Sequence, residues 1–154
     1  MIRVQQELFD VGEELASLSA GRTDIGAVAS FTGLVRDFVS QEATHDNKIA
    51  ALTLEHYPGM TETKLAEIEE EAKRRWPLQA SLIVHRYGRM LPGEPIVLVA
   101  AASPHRAAAL DACAFLIDWL KTKAPFWKLE ETEGKAEWVD ARSSDDRAAE
   151  RWKG

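Results

Sequence analysis

Cationic side chains stand where predicted helices and strands end, and these are Arg36, His105, Arg106, Lys121 and Lys128. The planar fork of an arginine binds phosphate or carboxylate with two parallel hydrogen bonds, and the first turn of a helix adds free N–H groups. A lysine held near other cations or against an aromatic ring loses its proton more easily, which suits acid–base or nucleophilic work. These residue types therefore indicate a site for a phosphorylated small molecule.

The sequence lacks the signatures of the commonest catalytic sites. It contains no GxGxxG, P-loop, HExxH or GxSxG pattern, so dinucleotide, nucleotide, zinc-protease and hydrolase functions have no support. The single cysteine, Cys113, excludes an intrachain disulfide and a cysteine-based zinc site, and its apolar surroundings suit a core residue. We therefore expect no metal site and no bound cofactor.

The composition is that of an acidic protein of single-domain length. The 154 residues carry 25 acidic and 19 basic side chains, and the net charge of -6 argues against nucleic-acid binding through bulk positive charge. No apolar run reaches the ~18 residues of a membrane span, and the first residues lack a secretory signal pattern. We expect one cytoplasmic domain over residues 1–154, with its core at about 26–140 and a polar tail at 143–154.

The longest predicted helix begins with two cations, His105 and Arg106, where the helix dipole favours anions. Ser103 is a suitable N-cap, Pro104 suits the first helical position, and Pro125 ends the helix shortly before it. The dipole penalty is only ~0.3–1 kcal/mol per charge, so two solvated surface side chains remain an alternative to an anion site. Apolar residues at spacings of three and four predict the buried stripe, namely Leu110, Cys113, Ala114, Ile117 and Leu120.

The length of this helix separates its two cationic ends. Arg106 precedes Lys121 by about 15 residues, which corresponds to ~22 Å along the axis at 1.5 Å per residue. One small ligand cannot contact both ends of one helix. Either the two ends serve separate sites, or one site is assembled from two copies of the chain, as a two-fold dimer allows. We hypothesise the dimer.

The other elements must position these side chains. Predicted strands cover residues 2–4, 25–35, 49–57, 81–87 and 96–102, predicted helices cover 10–18 and 61–76, and a hairpin joins 127–132 to 136–140. Residues 37–48 lack periodicity and predict a loop, to which we assign no site residue. Because strands and helices do not alternate strictly, the order favours an α+β fold with helices on a mainly antiparallel sheet.

Several of these stretches together resemble the large, catalytic subunit of molybdopterin synthase, the MoaE family. The resemblance covers roughly residues 26–140 and rests on motifs in the correct order: FTGLVR at 31–36, LTLEHYPGMTE at 52–62, RRWPL at 74–78, SPHR at 103–106 and LKTKAPFWK at 120–128. One departure is Ile117, where the family commonly has a methionine, and it affects only a contact in the pocket wall.

The resemblance implies an α/β-hammerhead-type fold and a homodimer flanked by two copies of a small ubiquitin-like subunit, a 2+2 heterotetramer. The C-terminal thiocarboxylate of the small subunit would enter the pocket of the large one. Two sulfur transfers to cyclic pyranopterin monophosphate would then form the dithiolene of molybdopterin, a step of molybdenum cofactor biosynthesis.

Site roles are implied residue by residue by the same motifs. Lys121 and Lys128 would be the catalytic lysines, and Phe31 would line the pocket. Three further residues would bind phosphate or pterin, the last two from the neighbouring subunit: Arg36, His105 and Arg106. The residues alone leave two alternatives open, a non-catalytic dimer that binds a phosphorylated metabolite and an interaction protein that uses tryptophans as anchors: Trp127, Trp138 and Trp152.

Overall fold

The computed structural model describes residues 1–37, 48–139 and 143–154. In chain order their helices and strands are β1 (Ile2–Gln5), α1 (Val11–Ser19), β2 (Ala27–Leu34), β3 (Ile49–His56), α2 (Met60–Arg75), β4 (Ala80–Arg86), β5 (Gly88–Met90), β6 (Pro95–Ser103), α3 (Arg106–Lys123), β7 (Phe126–Thr132), β8 (Lys135–Val139) and α4 (Ser143–Glu150). Most of the predicted loop at 37–48, and the last residue of the predicted hairpin, Asp140, lie outside the described residues.

The first sheet has the strand order β1-β4-β6-β2 and carries the main core. β1 runs parallel to β4, and the other two pairs are antiparallel. Side chains alternate between the two faces of a strand, so Ile83 packs toward α2 and α3 whereas Leu82 and Val84 pack toward α1. Helices therefore cover both faces of this sheet, which explains why β6 is apolar throughout.

The second sheet has the order β5-β3-β7-β8, and all its pairs are antiparallel. β5 was not expected from the sequence. Gly88 has a φ of +88°, a conformation that favours glycine, and it turns the chain out of the first sheet so that Met90 pairs with Leu52 of β3. The predicted hairpin is present as β7 and β8. The predicted α+β fold is confirmed, with the strands divided between two sheets instead of one.

Helix α3 begins two residues later than the predicted cap at Ser103 would place it. Ser103 remains in β6, and its hydroxyl donates to the Pro77 carbonyl at 2.9 Å. His105 is the N-cap, so Arg106 is the first helical residue. The prediction that Leu110 is buried is also wrong, because its side chain is 59% exposed while Ala109 and Ala112 face the sheet.

The polar C-terminal tail forms helix α4, which packs on α3, and Trp152 follows two residues after the helix. The indole ring contacts Trp76 and Phe115 edge to face, and its N–H donates to Asp118 at 2.8 Å. Among the described residues, no helix is long and apolar enough to cross a membrane.

Candidate active site

A cavity of about 650 Å³ lies where the C-terminal end of α3 meets both sheets. Four of the six residues selected from the sequence line it: Phe31, Arg36, Lys121 and Lys128. Two aromatic side chains that carried no role in the sequence prediction, His85 and Phe126, form part of the same wall. The structure thus brings three cations and an aromatic pair together around one opening.

The two lysines reach this cavity from different elements. Lys121 is in the last turn of α3, which ends when the Ala124 N–H bonds to the Leu120 carbonyl. Pro125 then starts the return strand β7, where alternation places Phe126 and Lys128 on the same face. A corner of only two residues, Ala124 and Pro125, therefore connects the helix that carries Lys121 to the strand that carries Lys128.

The remaining cation, Arg36, is delivered by an irregular end of β2. The pairing of β2 with β6 shifts in register between Gly33 and Leu34, and Arg36 follows two residues later. A β-carbon on Gly33 would lie 2.9 Å from Cγ1 of Val97, so a larger residue fits only if the Val97 side chain moves. Glycine at this position therefore lets the Val97 side chain pack closely against β2 beside the cavity.

Lys128 has a carboxylate neighbour that sequence reasoning missed. The Oε1 atom of the buried Glu130 lies 3.5 Å from the Lys128 ammonium. Residues two apart on a strand share a face, so this spacing was a usable signal in the sequence. A carboxylate at that distance neutralises part of the lysine charge and orients its ammonium group.

His85 is the second residue that the sequence analysis missed. Its ring stacks on Phe126 with 3.8 Å between the centroids, and Nδ1 lies 2.8 Å from the Arg86 carbonyl oxygen. Burial lowers the pKa of His85 from 6.5 to about 4, against the hydrogen bond to Arg86 and with help from the charges of Lys121 and His56. The ring is therefore neutral at physiological pH.

The buried imidazole predicts a loss of stability in acid. Between about pH 6.5 and pH 4 the unfolded chain takes up a proton at His85 that the folded chain does not, so the free energy of unfolding falls as pH falls. Protonation of His85 should lower the free energy of unfolding by up to about 3 kcal/mol between pH 6.5 and pH 4, and it should have no effect above pH 6.5. Urea unfolding of wild type and His85→Phe at several pH values measures the effect. Equal pH dependence in both proteins would contradict it.

His105 and Arg106 lie at the opposite end of α3 and do not line this cavity. Both are exposed, and the side chain of the N-cap residue, His105, makes no capping hydrogen bond among the described residues. The separation that helix length predicted within one chain is therefore present. Their assigned contact with the ligand remains a prediction, because it requires a second copy of the chain.

The loop that presents these two residues packs directly on Gly26. The Gly26 N–H donates to the Ser103 carbonyl at 3.0 Å, and a β-carbon at this position would lie 2.1 Å from the Pro104 carbonyl oxygen. Backbone must therefore move to admit any side chain.

We expect Gly26→Ala to destabilise the fold by about 1–3 kcal/mol, as overpacking does elsewhere. Urea unfolding measures the change, and Ser30→Ala, an exposed position on the strand β2 that follows Gly26, is the control, with an expected change under about 0.5 kcal/mol. If Gly26→Ala were as stable as this control, the close approach of Pro104 would not be a real constraint.

Known proteins of one family match this chain in both sequence and fold. A family model described as MoaE protein matches residues 4–123. The chain belongs to the MoaE family. The molybdopterin synthase catalytic subunit of Pseudomonas aeruginosa is 54% identical to it over 151 residues, which cover 98% of this chain and 97% of that protein.

Solved structures similar to this MoaE family chain share its architecture. The MoaE protein of Burkholderia ambifaria has a TM-score of 0.83 at 49% identity, and the match covers 100% of this chain and 98% of the B. ambifaria chain. Molybdopterin synthase from Staphylococcus aureus has a TM-score of 0.79 at 32% identity, and the match covers 90% of this chain and 96% of the S. aureus chain. The family membership that the motifs indicated is confirmed.

Proposed function

We propose that this chain is the catalytic subunit of a molybdopterin synthase, a sulfurtransferase of molybdenum cofactor biosynthesis. It would move two sulfurs, one from the C-terminal thiocarboxylate of each of two small ubiquitin-like subunits, to cyclic pyranopterin monophosphate and so form a dithiolene. The observation that carries the proposal is the convergence of Arg36, Lys121 and Lys128 on one cavity at the end of α3. Membership of the family supports it.

Positive charge is what this reaction requires of the large subunit. The thiocarboxylate, the phosphate and the intermediates of transfer are all anionic, and cations fixed in place stabilise charge that develops in a transition state. The guanidinium group of Arg36 can donate two parallel hydrogen bonds to two oxygens of the phosphate. The two lysines can donate hydrogen bonds or protons to the reacting sulfur and carbonyl groups.

The sulfur arrives on the small subunit, so no cysteine nucleophile is needed here. Cys113 agrees with this division of labour. It is buried in α3 with Sγ 3.8 Å from the Val99 carbonyl oxygen, and burial raises its pKa to about 11. A thiol in that state carries almost no thiolate at neutral pH, and the thiolate is the reactive form.

We further propose that the chain acts as a single domain and pairs with itself within a 2+2 heterotetramer in the cytoplasm. β2 is at the edge of its sheet and has exposed apolar side chains, and an exposed leucine follows on α3: Val28, Phe31, Leu34 and Leu110. Apolar groups around an open strand edge are typical of a covered surface. Self-pairing here would also supply His105 and Arg106 to the partner's cavity.

The test is product formation by the complete system. The full chain is incubated with thiocarboxylated small subunit and cyclic pyranopterin monophosphate, and dithiolene product is measured by mass spectrometry. Product that depends on the chain supports the proposal. Binding of the pyranopterin without product would instead identify a sensor of a phosphorylated metabolite, and the proposal would be wrong.

A further inference from the structure

The orientation of the His85 ring fixes where its proton is. Nδ1 lies 2.8 Å from the Arg86 carbonyl oxygen, and a carbonyl oxygen can only accept a hydrogen bond. Nδ1 must therefore carry the hydrogen. In a neutral imidazole with a protonated Nδ1, Nε2 holds a lone pair and acts only as an acceptor.

Packing prevents the ring from exchanging these two nitrogens. Phe126 of β7 stacks on one face at 3.8 Å with an interplanar angle of 17°, and the residue as a whole is 5% exposed. The Nδ1 edge is turned to the backbone, and the residue lines the cavity. The Nε2 edge is therefore the edge of the ring that can face the cavity. The cavity wall thus offers a fixed, uncharged hydrogen-bond acceptor, the Nε2 atom of His85.

The groups around this acceptor are mainly cationic. Lys121 on α3 and His56 on β3 act electrostatically on His85, and three further charged side chains line the same cavity from other elements: Arg36, Lys128 and Asp145. Lys128 has Glu130 beside it. Lys121 is exposed at the end of a flexible four-carbon chain, and such a side chain loses up to ~2 kcal/mol of conformational entropy when it is fixed.

We propose that His85 is a positioning residue for Lys121, whose ammonium donates a hydrogen bond to Nε2 of His85 when the cavity is occupied. The contact would hold Nζ toward the transferring sulfur and away from solvent. This inference rests on the proposed function and deepens it, because it gives one of the two lysines a partner that fixes its direction.

Two conservative variants separate this role from a structural one. His85→Gln places an amide near the position of Nε2 and keeps an acceptor for Lys121. His85→Asn places its amide near Nδ1 and keeps only the bond to the Arg86 carbonyl. We expect kcat to fall about 10- to 100-fold in His85→Asn, with KM within about threefold of wild type, and to stay within about threefold in His85→Gln. The reverse order would show that only the backbone contact matters and would overturn the proposal.

A double-mutant cycle tests whether His85 acts through Lys121. If it does, His85→Asn should lower the residual kcat of a Lys121→Ala enzyme by less than about twofold, because the group it positions is already gone. An undiminished effect in the Lys121→Ala background would mean that His85 contacts the substrate itself, and the proposal would be wrong.

Nitrogen NMR of the imidazole needs no histidine variant and no activity. In the complex with thiocarboxylated small subunit, wild-type His85 should show a proton on Nδ1 and a bare Nε2, and the Nε2 resonance should shift in Lys121→Ala. A proton on Nε2, or an unchanged Nε2 resonance, would overturn the proposal. Failure of the proposed function is distinguishable, because then wild type itself would form no dithiolene product.

Discussion

Lys121→Ala should reduce turnover by about 10²–10⁴-fold while leaving the affinity for cyclic pyranopterin monophosphate within a few-fold of wild type. The ammonium group sits at the rim of the cavity, where it can stabilise charge that appears only as sulfur is transferred. In the proposed assignment other cations bind the phosphate, so the loss should be in kcat. Single-turnover kinetics with thiocarboxylated partner, together with equilibrium binding, measure both quantities.

Lys123→Ala is the matched control for this prediction. Lys123 is on the same last turn of α3, but its ammonium lies 3.5 Å from the centroid of the Trp119 ring and does not line the cavity. Each variant removes one positive charge from the last turn of α3. Equal losses of turnover would mean that net charge is what matters, and Lys121 would lose its assigned role.

A heterodimer of an Arg106→Ala chain and a Lys121→Ala chain should recover about half of wild-type turnover per dimer, although each homodimer is nearly inactive. Arg106 and Lys121 are at opposite ends of an 18-residue helix and cannot meet in one chain. If each site takes Arg106 from one chain and Lys121 from the other, one of the two sites in the heterodimer is intact. Differently tagged chains allow the mixed species to be purified and assayed.

The cavity provides the control for this experiment. Lys121 and Lys128 line the same cavity of a single chain, so a heterodimer of Lys121→Ala and Lys128→Ala has one defect in each site. It should show no recovery. Recovery in this pair, or its absence in the Arg106 pair, would exclude the shared-site arrangement.

Most of the fold follows from local patterns in the sequence. Asp10 caps α1 by accepting the Glu13 N–H at 2.8 Å, at the start of the helix predicted over 10–18, and Pro125 ends α3 as expected. The misplacements arose where tertiary contacts overrule local preference. Ser103 suits an N-cap, yet its hydroxyl donates a hydrogen bond to the Pro77 carbonyl, and its backbone pairs with the neighbouring strand β2.

The candidate site could be predicted only in part, for a similar reason. Charged residues at element ends attract attention in a sequence, and these gave three of the four cavity residues that the structure brings together, whereas Phe31 came from the family resemblance. A single histidine within an apolar strand gives no such signal. The importance of His85 comes from a stacking partner 41 positions away in the chain, Phe126, and no local pattern links the two.

The alanine face of α3 places a limit on how this catalyst can evolve. Ala109 and Ala112 bring the helix close to the first sheet, and Lys121 extends from its far end. Lys121 lies nine to twelve residues beyond these alanines, about 14–18 Å along the helix axis, so a tilt of about 5° at the alanines displaces the lysine by about 1.5 Å. With Lys121 in its proposed role, selection on reaction rate would act on small core residues far from the substrate, and sequence change in the core would be constrained by chemistry as well as by stability.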